Sequence, residues 1–455
     1  MANKSALWIA VAIVIIVVIA GAAYYYSSKG GGKTTTSPTM TTQAPGTGTT
    51  TAAPTTTTPT EHVIKVGVIL PLSGRLAETG ADLKHGIEFA VEQINANGGV
   101  KSCGGAKIKV VYGDSAGKPE TGAAEAERLI TQEHVVALVG AYQSAVTKTA
   151  SAVAEKYHVP FVNPDSTSPA LTQRGYKWFF RVTPHDAMFA KQQVDFIKWL
   201  NEKYNLGLKT FAIIHEDTEW GTGVAKAWKQ YFTEAGFKLV KEVSYHAATV
   251  TSLDTEVESL KAAKPDILLV ASYVQDALLL VRTMKAHNFA PKVVLAQDAG
   301  FVSPGYVKNV GKDGAYIFSR EVFNWDLIEK IPRLKKLDEE YKAKYGVDLD
   351  GNSARDYTGM IVLYYALEDA CKKAKPWDNL QEFRKVLRDS LANLYIPGDK
   401  LIMPWKGVKF DKNGQNILGQ GIVVQMFPDG KYYTVYPPKF ATKEPVVPFP
   451  PWNQR

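Results

Sequence analysis

Residues 64–70 read IKVGVIL, residues 80–99 read GADLKHGIEFAVEQINANGG, and residues 107–115 read KIKVVYGDS. The first and third are β-branched runs, and each predicts a strand. Between them Ile87, Ala90, Val91 and Ile94 recur at helical spacing, and Asn97-Gly98-Gly99 supplies the stop signal of a helix. A strand, a helix and a strand in this order make a parallel pair with a crossover, the unit of an α/β sheet covered by helices.

The alternation continues outward. GAAEAERLIT (122–131) reads as a helix, VVALVGA (135–141) as a strand, SAVTKTASAVAEKY (144–157) as a helix and VPFVNP (159–164) as a strand. After RVTPHDAM (181–188) the pattern restarts. Helices near 189–204, 221–236 and 277–288 are interleaved with FAIIHED (211–217), KLVKEVSY (238–245), a strand within 260–272, and KVVLAQDA (292–299). The expected fold is α/β, two doubly wound three-layer αβα lobes in series. Such sheets bind ligands at the loops beyond the strands' C-terminal ends, and a cleft between two of them is a favoured place.

Upstream, residues 6–23 (ALWIAVAIVIIVVIAGAA) form an 18-residue run without a charge, flanked by Trp8 and Tyr24-Tyr25-Tyr26. That length just spans a bilayer core and exceeds a secretory h-region, so an uncleaved signal-anchor is expected over 1–27, with cleavage near 21–23 as the alternative. No cysteine follows this run to carry a lipid. Residues 34–60 contain fifteen Thr and four Pro. That composition cannot build a core and reads as an extended, O-glycosylated type of stalk, assigned to 28–61 and able to reach about 80 Å. The body is therefore expected on the extracytoplasmic face. A Pro-rich, irregular tail is expected over 441–455.

Composition narrows the function. The net charge of +8 is interleaved along the chain, with no clustered basic patch of the kind nucleic acid requires. Two cysteines, Cys103 and Cys371, exclude a zinc framework; outside the cell they could form one disulfide, or they could be two separate thiols. The eight histidines show no HExxH, and there is no GxSxG elbow or P-loop. His215-Glu216-Asp217 is the best polar trio and reads as a loop; neither catalytic nor metal-binding residues, nor a cofactor, are expected.

Three strand-end loops offer ligand contacts. Ser144, after Tyr142-Gln143, is a candidate N-cap, and free N–H groups at a helix start suit a carboxylate. Asp165-Ser166-Thr167-Ser168-Pro169 offers hydroxyls and a capped turn. Asp298 at a strand end could pair with an ammonium. Each has an ordinary structural reading as well, and they gain weight only if the fold brings them together.

The stretches IKVGVILPLSGRLAETG (64–80), VNPDSTSPALTQRGYKWFFRVTP (162–184), IIHEDTEWGTGVAKAW (213–228) and PDILLVASYVQDALLLVRTMK (265–285) resemble the type I periplasmic binding proteins. Within them they resemble the branched-chain amino-acid (leucine/isoleucine/valine) substrate-binding proteins of ABC transporters, over roughly 62–440. The resemblance implies lobe I over 62–183 plus 322–413 and lobe II over 184–321 plus 414–440, joined by a multi-strand hinge. It implies that Ser144 and Thr167, helped by backbone near Asp165 and Ser166, hold an α-carboxylate. Asp298 would hold the α-ammonium, and Trp220 and Tyr273 would close over the ligand. A membrane permease would be the partner, and hinge closure the mechanism. Thr79, Tyr142 and Asp165 depart from the family's usual pocket residues, and an unpaired Asp165 would tell against leucine. The other readings are a receptor's ligand-sensing ectodomain and a binder of amides, urea or small carboxylates.

Overall fold

The computed structural model describes residues 62–455, so the expected membrane segment (1–27) and stalk (28–61) lie outside the described residues. Among the described residues no helix is long and apolar enough to cross a membrane.

Fourteen strands follow the chain. They are β1 (Val63–Leu70), β2 (Lys107–Asp114), β3 (Ala137–Gly140), β4 (Phe161–Asn163), β5 (Phe179–Arg181), β6 (Thr210–Glu216), β7 (Lys238–Tyr245), β8 (Ile267–Ala271), β9 (Val293–Gln297), β10 (Phe318–Glu321), β11 (Tyr395–Pro397), β12 (Gly407–Lys409), β13 (Ile422–Met426) and β14 (Tyr432–Tyr436). The first sheet has the order β2-β1-β3-β4-β5 and is wholly parallel. The second has the order β14-β13-β10-β9-β8-β6-β7. Its pairs from β7 through β10 are parallel, while β13 and β14 add an antiparallel edge. A small hairpin joins β11 and β12.

Strand periodicity explains the layers. In β1, Ile64, Val66, Val68 and Leu70 face a core shared with the helices Ala77–Ala96 and Gly351–Ala370, while Ile69 faces the other core with Leu129, Val146 and Phe161. In the second sheet, Ala212, Ile214, Leu268 and Val270 face the helices Asp254–Ala263 and Val274–Ala286. Phe211, Ile213, Ile267 and Leu269 face Asp186–Tyr204 and Glu219–Glu234. Both sheets are thus covered on both faces, and a lobe forms around each.

The helix Gly351–Ala370 returns the chain from β10 to the first lobe. Asp350 and Ser353 close a capping box at its start. It packs against Ala77–Ala96 so tightly that a Cβ on Gly86 would stand 2.2 Å from the Ser353 carbonyl oxygen, so only glycine fits there. Near its C-terminus Cys371 is bonded to Cys103, with Cα atoms 5.2 Å apart and a sequence separation of 268.

Two passages between the sheets run side by side. The Arg181 N–H donates to the Gly414 carbonyl at 2.7 Å, and Asn416 N–H donates to the Arg181 carbonyl at 2.9 Å. The buried Arg181 guanidinium donates to Gln415 Oε1, the Ser168 carbonyl and Thr172 Oγ1 at 2.6–2.7 Å. Beside it, burial raises the Asp186 pKa to about 6, with Arg320 pulling the other way. The tail is irregular apart from a turn at Trp452–Gln454, yet it is tied down: Gln425 and the Val446 backbone exchange two hydrogen bonds, and the Trp452 indole donates to the Phe289 carbonyl.

Two outcomes are expected. Reduction, or Cys103→Ser with Cys371→Ser, should lower unfolding free energy by about 2–5 kcal/mol in urea titrations with and without reductant. Asp186 carries a raised pKa, so its contribution is present below the ordinary carboxylate range and lost as pH rises through about 6. Between pH 4 and pH 7 the native chain should lose about 3 kcal/mol relative to Asp186→Asn, measured by denaturant titration at each pH.

Candidate ligand site

Parallel strands deliver their C-terminal loops to the same edge of a sheet, and here the two edges face one another. Between them lies a small, nearly closed cavity, lined by Tyr142, Asp165 and Thr167 from the first lobe, Trp220, Tyr273, Asp298 and Ala299 from the second, and Arg355 from the returning helix. Six of the nine expected ligand contacts therefore meet at one place. Thr79, Ser144 and Ser166 are buried but do not line the cavity.

The β3 loop turns sharply. Gly140 has φ +137°, and a Cβ there would lie 2.2 Å from the Ile69 carbonyl oxygen. Tyr142 follows in the left-handed region. The expected N-cap role of Ser144 is corrected: Gln143 takes it, in extended conformation and without a side-chain cap, and Ser144 begins the helix Ser144–Tyr157. Ser144 Oγ accepts from the Ser168 N–H at 3.3 Å. The β4 loop is folded around Asn163, whose Oδ1 accepts from the Asp165 and Ser166 N–H groups at 3.0 and 2.8 Å. The Ser166 hydroxyl donates to the Tyr142 carbonyl and meets Thr147 Oγ1, so it ties the two loops together.

Across the cavity, Trp220 stands in the first turn of its helix, which Glu216 anchors by accepting from the Gly221 and Thr218 N–H groups at 2.6 Å. The Trp220 and Tyr273 ring centroids are 5.0 Å apart, and Tyr273 lies 6.2 Å from Tyr142, so an aromatic wall crosses from one lobe to the other.

The charges are arranged around Arg355. Its Nε donates to Asp165 Oδ1 at 3.0 Å, its Nη1 to Asp298 Oδ2 at 3.0 Å and to Glu321 at 3.2 Å, and its Nη2 to Asn352 Oδ1. Burial alone would lower the Arg355 pKa, but Glu321, Asp298 and Asp165 together overcome this and raise it. Arg320 Nη1 sits 2.7 Å from the same Asp298 Oδ2, with its guanidinium stacked 3.7 Å over the Phe189 ring. Among the described residues none donates to Asp298 Oδ1. Burial, reinforced by Asp165, raises the Asp356 pKa well above the carboxylate range. Asp165 is not left unpaired: Arg355 holds its Oδ1, while its buried Oδ2 has no partner among the described residues.

Arg320, Glu321, Arg355 and Asp356 escape the sequence reading. Their signal is adjacent opposite charges inside apolar runs, IFSREVF (317–323) and SARDYTGM (353–360), where such pairs end up buried together.

At the rim, Arg75 bridges to Asp276 at 2.8 Å and to the Ala247 carbonyl at 2.6 Å. Lys148 meets Glu219 at 2.8 Å, and Ser168 Oγ donates to the same carboxylate at 3.2 Å. These contacts join the lobes on either side of the cavity.

A periodic pattern of strands with a site of this kind has counterparts. A family model described as periplasmic binding protein matches residues 63–425. The Leu/Ile/Val-binding protein homolog 7 of Brucella suis biovar 1 (strain 1330) is 32% identical over 395 residues, 85% of this chain and 94% of that protein. Among solved structures, the leucine-binding protein LivK of Thermotoga maritima MSB8 has a TM-score of 0.70 at 23% identity, covering 82% of this chain and 97% of that one. The LivJ substrate-binding protein of Streptococcus pneumoniae, solved with isoleucine, has a TM-score of 0.66 at 24% identity, covering 85% and 100%. The shared architecture is the two-lobed type I fold, and its carriers are binding proteins. The chain belongs to the periplasmic binding protein family.

Proposed function

We propose that this protein is the extracytoplasmic substrate-binding component of an ABC transporter, held at the membrane by residues 6–23, and that it captures an amino acid between its lobes by hinge closure. The observation that carries this reading is the juxtaposition, across one small cavity, of Thr167 with the adjoining helix start and Asp298 with a free oxygen. The first end suits an α-carboxylate, because hydroxyls and helix N–H groups favour anions. The second suits an α-ammonium.

Formal charge supports the same reading. Within the ion-paired cluster three carboxylates, Asp165, Asp298 and Glu321, face two guanidiniums, Arg320 and Arg355, so acids outnumber bases where a ligand ammonium would sit. The relatives, a leucine/isoleucine/valine-binding protein homolog and a leucine-binding protein, point to the same ligand class. Closure would expel water and strengthen these contacts, and the ligand would stabilise the closed form through its greater affinity for it. The closed surface is then what a permease would meet.

A screen of the common amino acids should raise the melting temperature of the purified protein and give saturable heats in calorimetry. A well-folded preparation that responds to none of them refutes the reading. Asp298→Asn should weaken binding roughly 10- to 100-fold, the loss of one charge-assisted contact. Unchanged affinity in that variant would show that the ammonium lies elsewhere.

A further inference from the structure

With the α-carboxylate and α-ammonium placed as above, a reading on which this inference rests, the ligand's side chain is left facing Tyr142, Arg355 and Asp165. We propose that this side chain ends in a neutral hydrogen-bonding group, a carboxamide or a hydroxyl, and that Tyr142 and Arg355 select it over a branched hydrocarbon.

Tyr142 is only 8% exposed and lines the cavity, yet its hydroxyl has no hydrogen-bond partner. A buried tyrosine hydroxyl ordinarily finds one. Burial, with the nearby charge of Asp298, raises its pKa, so it stays protonated and able to donate. A guanidinium has five N–H donors. In Arg355 one goes to Asp165, two on Nη1 to Asp298 and Glu321, and one on Nη2 to Asn352, which leaves one on Nη2. Two donors at the cavity therefore await an acceptor.

Charge separates the polar candidates. Asp165 does not call for a cationic side chain, because Arg355 already pairs it through Oδ1; its buried Oδ2 has no partner, and the N–H of a carboxamide or the O–H of a hydroxyl can donate to it. An anionic side chain would add a charge to a cluster where acids already outnumber bases. A hydrocarbon would seal the Tyr142 hydroxyl and the Arg355 N–H away from water without a partner, and sites with orphaned donors reject such ligands strongly. A short neutral acceptor satisfies both donors, and the cavity's small volume suits it.

Isosteric pairs test this directly. Calorimetry on the full chain in detergent compares threonine with valine and asparagine with leucine, and adds aspartate as the charged isostere. Threonine and asparagine should bind at least about tenfold tighter than their apolar counterparts, and asparagine tighter than aspartate. In Tyr142→Phe, with folding checked by circular dichroism, both polar-to-apolar ratios should fall toward one. Valine and leucine binding as well as threonine and asparagine would overturn the inference while leaving amino-acid capture intact. Ratios unchanged in Tyr142→Phe would also overturn it. A folded protein that binds none of the five would remove the underlying placement of the α-groups, and the inference with it.

Discussion

The guanidinium of Arg355 is the interaction on which the site depends. It is buried, and it holds Asp165 of the first lobe, Asp298 of the second, and Glu321 at the end of β10. Taking four charged groups out of water is costly, and attraction repays the cost only where the geometry is good and the remaining donors are satisfied. Removing the guanidinium would leave three carboxylates buried together. The burial of Asp298 beside Arg320 and the raised pKa of Asp356 next to Asp165 follow from the same need to balance charge in a dry place.

That cluster can exist because of how the two sheets are wound. Parallel strands covered on both faces bring their C-terminal loops to one edge, at the margin of the cores. The loops are then free to carry Tyr142, Thr167, Trp220, Tyr273 and Asp298. They are fixed by contacts outside the cavity lining: Asn163 under the β4 loop, Ser166 and Thr147 between loops, and Glu216 under the Trp220 turn. Gly300 belongs with these. A Cβ on it would stand 2.3 Å from the Tyr273 carbonyl carbon, so its absence lets the β8 and β9 loops touch.

Much of this was legible in the sequence because burial on both faces of a parallel sheet leaves unbroken β-branched runs. IKVGVIL and DILLVAS (266–272) announce β1 and β8, and SAVTKTASAVAEKY matches its helix residue for residue. The chemistry of the loops was legible one residue at a time. Asp298 and Thr167 reach the cavity, but Ser144 and Ser166 spend their hydroxyls on neighbouring backbone. Arg355 was not legible, because its partners lie 34, 57 and 190 residues away, and no local pattern shows which carboxylates a helix will meet. The same holds for Arg320 and its partner Asp298.

The lobes are joined by two kinds of ion pair, and their energies are not comparable. At the rim, Lys148 keeps about half of its side-chain surface in water and its partner Glu219 about a quarter, at 52% and 23% exposure. Pairs of that kind contribute about 0–1 kcal/mol and weaken as salt rises. Arg355, Asp298 and Glu321 are nearly dry, and losing one partner there costs about 3–5 kcal/mol. The rim therefore adds little to holding the lobes in this arrangement. The stronger contacts lie inside, where a guanidinium from one lobe and a carboxylate from the other meet at 3.0 Å, with the aromatic rings beside them in contact.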